Sequence, residues 1–356
     1  MSKTVVIIGG GVAGMAAAAK LQLFGHQVIL IEKEKELGGQ VKHWYKVFPD
    51  FTKGSEIIAK LKGELKGTRI LTNTTVTHIE GSAPNFAVLT SRGEKIEAGA
   101  ILVATGFKHF DASFKEEYGY GIYDNCITSV ELSEMLKHQK VTTTTGKIPQ
   151  KIAMIHCVGS RDQKVNNNYC SRVCCTNGIK DAIEIKTLIP DCNIYCLYMD
   201  IRVFGRGYEE LYRTSQEKYG IQFIRGRLSE ANEKPDRSLL LKVEDTLIGK
   251  PMKLSVDLVV LMVGMEGNTE LSEVAGLTVG CDRFYATVHQ QYSNNCSPQP
   301  GIFLAGAATG PKAIMESITD GRSAAAEIAA FLANSTEIES SISNGHLIVP
   351  VGSLVQ

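Results

Sequence analysis

The chain has 356 residues, 44% of them hydrophobic and 21% charged, with 38 Lys and Arg balanced by 38 Asp and Glu. That length makes about two domains; the apolar fraction excludes disorder as the main state, and zero net charge leaves no bulk basic excess for nucleic acid or an anionic membrane. Thirty-four glycines against ten prolines suit close approach of backbone to a ligand, and nine cysteines, an odd count, argue against a secreted disulfide scaffold.

Residues 4–8 (TVVII) form an unbroken β-branched run, the pattern of a strand buried on both faces of a parallel sheet. Residues 9–14 turn the chain, residues 15–24 are Ala-rich and helical, and Gly25 is placed as a C-cap. A second apolar strand, 27–31, ends at Glu32 and completes a βαβ unit of about 30 residues. The first apolar stretch therefore reads as strand, turn and helix rather than as a signal peptide. No apolar run is long enough for a transmembrane helix, so the expectation is a soluble, cytoplasmic protein without membrane or nucleic-acid partners.

Residues 36–50 are loop-like, 55–65 amphipathic and helical, and 70–77, 86–90 and 95–97 read as a β-meander, followed by a buried strand at 100–104 (AILVA). After a Thr-rich stretch at 142–145 a second α/β segment begins, with strands at 152–156, 193–198, 221–224, 239–243 and 254–263 and helices at 177–188 and 207–219. A return strand at 301–305 and an Ala-rich helix over 313–332 follow, and 334–356 reads as a tail or an added strand. This order predicts an α/β fold of two Rossmann-like domains, the second inserted in the first. The first domain takes 1–145 and 266–333, the insert 146–265, and the C-terminal tail 334–356.

Gly9-Gly10-Gly11-Val12-Ala13-Gly14 satisfies G-x-G-x-x-G between a buried strand and a helix. The first glycine permits the tight turn, the second lets backbone approach a pyrophosphate, and the third lets helix pack on strand. Glycine turns are common, but Glu32 stands at the end of the second strand, where a carboxylate reaches ribose hydroxyls. With Lys33 after it, then Gly38-Gly39-Gln40 and an apolar strand ending in Ala104-Thr105-Gly106, the pattern resembles the two-dinucleotide-binding flavoproteins. The resemblance implies FAD, its adenosine ribose on Glu32, a fold of the thioredoxin/disulfide reductase type, and further cofactor contacts at Gly306, Ala307, Lys312 and Ala313. The superfamily's late Gly-x-x-x-Ala-Gly-Asp is here Gly301 to Ala307, with Ala307 where the ribityl-binding Asp would stand.

In the insert the second glycine motif is missing: Cys157-Val158-Gly159-Ser160-Arg161-Asp162 follows the strand, and no C-x-x-C occurs in the chain. Cys157, Cys170, Cys174 and Cys175 give C-x12-C-x3-C-C, a spacing open to an iron–sulfur cluster, to zinc, or to small core residues. Arg161, Lys164 and Arg172 would offset the charge of a cluster, and Asn166-Asn167-Asn168 argue against a core. Together with Tyr198-Met199-Asp200-Ile201-Arg202 and Gly205 to Glu210, these stretches resemble the A-type flavoprotein of heterodisulfide reductase. So does Gly306 to Lys312, and the resemblance covers roughly residues 3–332. It implies a [4Fe–4S] cluster on the four cysteines beside FAD, hence an oxidoreductase component that transfers electrons. The chain starts at the FAD strand and carries no C-x2-C-x2-C-x3-C run, which resembles the short form found in the sulfur-oxidising, heterodisulfide-reductase-like complex. Other subunits of such a complex, a lipoate-binding protein and a second copy in a homodimer are the partners implied. A stand-alone NAD(P)H-dependent flavin oxidoreductase and a flavin scaffold with structural zinc are the alternatives.

Pro311-Lys312 is expected to open the last helix, with Pro at N1 and Lys312 tuning the reduced flavin, a surface lysine being the alternative. Trp44 is expected either over the flavin or in the core. Cys192 and Cys196 are expected to be buried apolar thiols, and Cys126, Cys281 and Cys296 structural or surface thiols.

Overall fold

The computed structural model describes residues 3–343, with side chains through 334. The run Thr4–Ile8 is the central strand of a five-stranded parallel sheet, ordered Ile302–Leu304, Ala100–Val103, Thr4–Ile8, Gln27–Ile31, Arg69–Leu71. Val5, Val6 and Ile7 are fully buried, as the unbroken β-branched pattern requires of a strand covered on both faces. One face carries the helices Val12–Leu23, Gly54–Gly63 and Ile314–Ser343. The other packs on the antiparallel meander Val76–Ser82, Asn85–Thr90, Lys95–Ala98. Helices Val12–Leu23 and Ile314–Ser343 touch backbone to backbone, because a Cβ at Gly321 would come 2.2 Å from the Ala13 carbonyl oxygen.

A second five-stranded parallel sheet is ordered Cys126–Thr128, Leu258–Val263, Lys151–Val158, Asn193–Tyr198, Gln222–Arg225. A second meander, Leu228–Glu233, Leu239–Asp245, Lys250–Val256, closes it. The chain enters and leaves this unit through an antiparallel ribbon, Phe107–His109 paired with Met265–Gly267. The second sheet thus draws its edge strand from residues 126–128, ahead of the boundary at 146 expected from the Thr-rich stretch.

Other expected elements are divided differently. Residues 70–77 belong to two strands, Arg69–Leu71 in the parallel sheet and Val76–Ser82 in the meander, because Asn73 between them takes φ 48°. Residues 254–263 also divide: the break is Asp257, whose carboxylate accepts the Gln150 and Lys151 amides at 2.8 Å. The helix expected over 177–188 begins at Cys174, and the last helix runs on from 332 to Ser343, so the first part of the expected tail is helical. Residues 344–356 lie outside the described residues. Among the described residues no helix is long and apolar enough to cross a membrane.

Candidate functional site

A cavity of about 690 Å³ runs from the first glycine turn to the start of helix Cys174–Leu188. Helix Val12–Leu23 has Gly11 as N-cap and no side-chain cap, so its first-turn N–H groups stand at the cavity without a side-chain acceptor. Gly11, Val12 and Ala13 line that wall, and a Cβ at Gly11 would meet nothing in the chain. Gly9 also lines the cavity, but its glycine requirement comes from φ +113° and from the Ala104 carbonyl oxygen 2.3 Å from a Cβ. Gly14 is not part of the lining: a Cβ there would sit 2.0 Å from the Gly9 carbonyl oxygen, so its work is to let helix and turn close.

Glu32 is 6% exposed, with Oε2 accepting Gly10 N–H at 2.7 Å and Oε1 accepting Glu34 N–H at 2.8 Å. Each carboxylate oxygen keeps a lone pair for a ligand hydroxyl. Lys33 lines the same end but is exposed and pairs with Glu270 at 3.5 Å. Gly39, Gln40, Ala104, Thr105, Gly106, Gly306, Ala307, Lys312 and Ala313 also line the cavity. Trp44 packs against the first core, also lines the cavity and meets His109 edge-on at 5.5 Å. Burial pushes that histidine down to about 4.

The last helix begins at Ile314, not at Pro311. Its first turn is closed by Glu316, which accepts the Ala313 N–H at 2.8 Å and pairs with Arg172 at 2.6 Å. Lys312 donates to the Gly306 carbonyl at 3.0 Å, to Thr309 Oγ1 at 2.5 Å and to Asp320 Oδ2 at 2.8 Å. Asp320, 7% exposed, also accepts the Gly306 N–H at 2.7 Å and the side-chain amides of Asn294 and Asn295. The loop that lacks an Asp at position 307 is thus held from below by a carboxylate thirteen residues on, which no local motif announces.

Cys157, the penultimate residue of strand Lys151–Val158, has a φ of 61° and opens a run of left-handed non-glycine residues: Arg161, Asn166 and Arg172 follow. Nine non-glycine residues among those described have positive φ, and four of them fall in residues 157–172, where such backbone costs of order 1–3 kcal/mol each. The strained loop brings Cys157 Sγ to 3.8 Å from Cys174 Sγ. Cys174 and Cys175 start helix Cys174–Leu188, and all three thiols are buried, while Cys170 is half-buried. Backbone N–H groups point at two of the sulfurs: Arg172 N to Cys170 Sγ at 3.3 Å and Arg202 N to Cys175 Sγ at 3.4 Å. The Arg161 guanidinium feels both Cys157 and Cys170.

Contact with Cys174 pulls the Cys157 thiol down to about 7, and Cys174 and then His156 pull Cys175 down, whereas Cys174 itself is raised by the thiols on either side. His156 lies against Gly178 of the helix, where a Cβ would come 2.7 Å from its ring, and neither of its nitrogens has a well-aligned hydrogen bond. Among the described residues no three His, Cys, Asp or Glu side chains are arranged around a single ion. What the loop offers is four free thiols, three of them together, with two backbone donors turned toward the sulfurs and the positive charge of Arg161, itself paired with Asp200, acting on two of them. That donor set suits a thiolate-held, negatively charged group. Cys192 and Cys196 are buried apolar thiols as expected, Cys126 is buried, Cys281 exposed and Cys296 half-buried.

Several lining residues were not legible as such. Asn268 Oδ1 is buried at the cavity wall without a hydrogen-bond partner, while its amide donates to the Thr105 carbonyl at 3.2 Å. Thr176, Asn177 and Lys180, on the helix opened by Cys174, also reach the cavity. Lys180 is 2% exposed, and its ammonium lies 2.5 Å from Asp181 and 2.9 Å from Glu184. In the turn after strand Lys151–Val158, Gly159 faces the Phe110 ring, 2.0 Å from a Cβ, and its carbonyl accepts the Asn167 amide at 2.9 Å.

A family model described as pyridine nucleotide-disulphide oxidoreductase matches residues 3–155 and 192–326. The A-type iron-sulfur component of the CoB–CoM heterodisulfide reductase of Methanocaldococcus jannaschii is 31% identical over 420 residues, spanning 92% of this chain and 64% of that protein. The A-type component of the H2:CoB-CoM heterodisulfide,ferredoxin reductase of Methanothermobacter thermautotrophicus is 44% identical over 244 residues, 66% of this chain and 37% of that protein. The chain therefore spans under two thirds of the length of these curated relatives. Among solved structures, thioredoxin reductase from T. acidophilum superposes with a TM-score of 0.66 at 20% identity, covering 92% of this chain and 98% of that one, a likeness of fold. With two parallel sheets, a glycine turn on the first and matches over both, the chain belongs to the pyridine nucleotide-disulphide oxidoreductase family.

Proposed function

We propose that this chain binds FAD in the cavity and a [4Fe–4S] cluster on Cys157, Cys170, Cys174 and Cys175, and transfers electrons as one component of a heterodisulfide-reductase-like complex. The observation that carries the reading is a single helix: Cys174–Leu188 starts with two of the four cysteines and turns Thr176, Asn177 and Lys180 to the cavity wall. One rigid element therefore joins thiols and cavity. FAD accepts electrons in pairs and an iron–sulfur cluster passes them singly, so side by side they convert one mode into the other.

The chain's own residues supply position and charge. Gly11 and the first-turn N–H groups would meet the pyrophosphate, and Glu32 the ribose. The unpartnered Asn268 Oδ1 supports the fit, since a buried acceptor costs about 1–3 kcal/mol unless a ligand donor reaches it. Arg172 N and Arg202 N would hold donor hydrogens on the ligating sulfurs, and Arg161 would offset their charge. The finer reading is cytoplasmic sulfur oxidation with lipoate-bound sulfur, beside other heterodisulfide-reductase-like subunits, a lipoate-binding protein and a second copy of this chain. Its support is the resemblance of the cysteine loop and of residues 198–210 to the heterodisulfide reductase flavoprotein.

The test is analysis of iron, acid-labile sulfide, zinc and FAD on protein purified without oxygen. About four irons and four sulfides per FAD are expected. Zinc on the thiols, or FAD without metal, would overturn the cluster; absence of FAD absorbance would overturn the cavity reading.

A further inference from the structure

The open end of the cavity has a composition that a buried cofactor does not require. Nine Lys and Arg line the whole cavity against three Glu, in a protein of zero net charge. Two of those cations, Arg202 and Arg206, are exposed and form no ion pair or side-chain hydrogen bond among the described residues. Arg202 reaches Asp200 only at longer range, and that carboxylate is already paired with Arg161 at 2.7 Å. Between them Phe204 is 64% exposed, and across the mouth Met315 is 57% exposed.

Arg172 fixes the two sides together. Its guanidinium lies 5.5 Å over the Phe204 ring while donating to the Pro311 carbonyl at 3.1 Å and to Glu316 at 2.6 Å, on the segment that carries Met315. An aromatic ring and a methionine standing out of the surface, with arginines around them, is the composition of a protein–protein contact centre. Both apolar side chains project to solvent, so the shape favours a macromolecular surface over a small anion sunk into a pocket.

We infer that the cavity mouth formed by Arg172, Arg202, Phe204, Arg206 and Met315 is a docking face for a small acidic redox protein, one that presents carboxylates around an apolar contact. The unpaired arginines select the sign of the partner's charge, and Phe204 and Met315 give it an anchor. The location adds a reason for a redox partner. The backbone N–H groups of Arg172 and Arg202 end on Cys170 Sγ and Cys175 Sγ, so a protein seated on these side chains lies one residue from the thiols. This last step rests on the redox reading proposed above; the docking itself rests on charge and exposure.

The probe is flavodoxin, a small acidic redox protein, labelled with a fluorophore and titrated with the full chain while anisotropy is followed; cytochrome c, a basic one, is the control. Binding of flavodoxin at low salt is expected, weakened about tenfold between roughly 50 and 300 mM salt. Arg202→Glu with Arg206→Glu should weaken it about tenfold or more at low salt and flatten the salt dependence. Phe204→Ser should weaken it severalfold with the salt dependence kept. The FAD absorbance of each variant, recorded in the same samples, shows whether the fold and cavity are intact. Flavodoxin affinity that ignores the charge reversals, tighter binding of cytochrome c, or self-association of the chain lost in Phe204→Ser would each overturn the proposal. A competing small anion is tested with NADPH: quenching of the flavin that disappears in Arg202→Glu, with no flavodoxin binding, assigns the arginines to a nucleotide instead. Loss of FAD with salt-sensitive docking retained would sink the cavity reading and leave the docking face standing.

Discussion

In the first domain three residues, 9–11, separate strand Thr4–Ile8 from helix Val12–Leu23, whereas in the second fifteen residues, 159–173, separate strand Lys151–Val158 from helix Cys174–Leu188. Both turns stand at the carboxyl end of the central strand of a parallel sheet, where such folds place their ligands. The first turn is stripped to backbone: Gly9 with positive φ, Gly10 with no room for a Cβ, Gly11 open to the cavity, and a helix end without a side-chain cap. The second is filled. Phe110 and Asn167 close on Gly159, and cysteines take the strand end and the helix start. One topological position thus serves two chemistries, one of N–H groups suited to phosphate and one of sulfur suited to metal.

The comparison is broken most directly at Gly14. Gly14→Val places a side chain on the Gly9 carbonyl and should cost about 3 kcal/mol or more, read as a large fall in melting temperature and soluble yield. Asp320→Ala should follow closely, at about 3–5 kcal/mol, since it leaves the buried Gly306 N–H without its acceptor and takes the counter-charge from the half-buried Lys312 ammonium. If Asp320→Ala melts within a degree or two of the parent, the carboxylate is not what holds the loop. On the sulfur side, Cys174→Ser should abolish iron binding while Cys192→Ser leaves it whole, since Cys192 is buried but stands outside the strained loop. Equal iron in both would remove the ligand assignment. Gly11→Ala sharpens the first turn at little cost: its φ is −71° and its Cβ meets no protein atom. The melting temperature without cofactor should stay put while FAD affinity falls about tenfold, about 1.4 kcal/mol. Equal loss of both would show the glycine serving the fold and not the ligand.

How far the sequence disclosed this depends on how local each signal is. The first turn was legible because strand, glycines, helix and Glu32 lie within about 30 residues. The split of residues 254–263 was not, because the break at Asp257 is made by amides of Gln150 and Lys151, a hundred residues upstream. The helix start at Cys174 was missed for a related reason: Val173 caps it without any side-chain hydrogen bond, so no capping residue announces it. Pro311 gave a false start signal, overruled by Glu316 closing the first turn on Ala313. The four cysteines could be grouped from spacing and resemblance, but the arginines at the cavity mouth and the wall residue Lys180 are brought there by packing between domains, to which a periodicity is blind.

The smallest effect lies under the second turn. Lys115 and Asp162 are buried and paired at 2.9 Å, fixing the start of the strained loop. Burial alone would raise the Asp162 carboxyl, but the Lys115 ammonium and the Lys164 N–H outweigh it and hold the group below its ordinary range. Burial alone would lower Lys115, yet Glu117 and Asp162 hold it above its ordinary value. A depressed carboxyl contributes stability that is whole above the unfolded pKa of about 3.9 and is lost as pH falls through the folded value. A raised ammonium contributes stability that is whole below about 10.4 and is lost as pH rises through its folded value. Stability from this pair should therefore be flat between about pH 5 and 9 and fall at both ends. Asp162→Asn should lower the plateau and remove this group's share of the acid fall, because the mutant carries no carboxyl to protonate. Among the described residues the first glycine turn has no buried ion pair of this kind, so the same change in pH should release iron before FAD; FAD leaving first would put the weaker joint in the first domain.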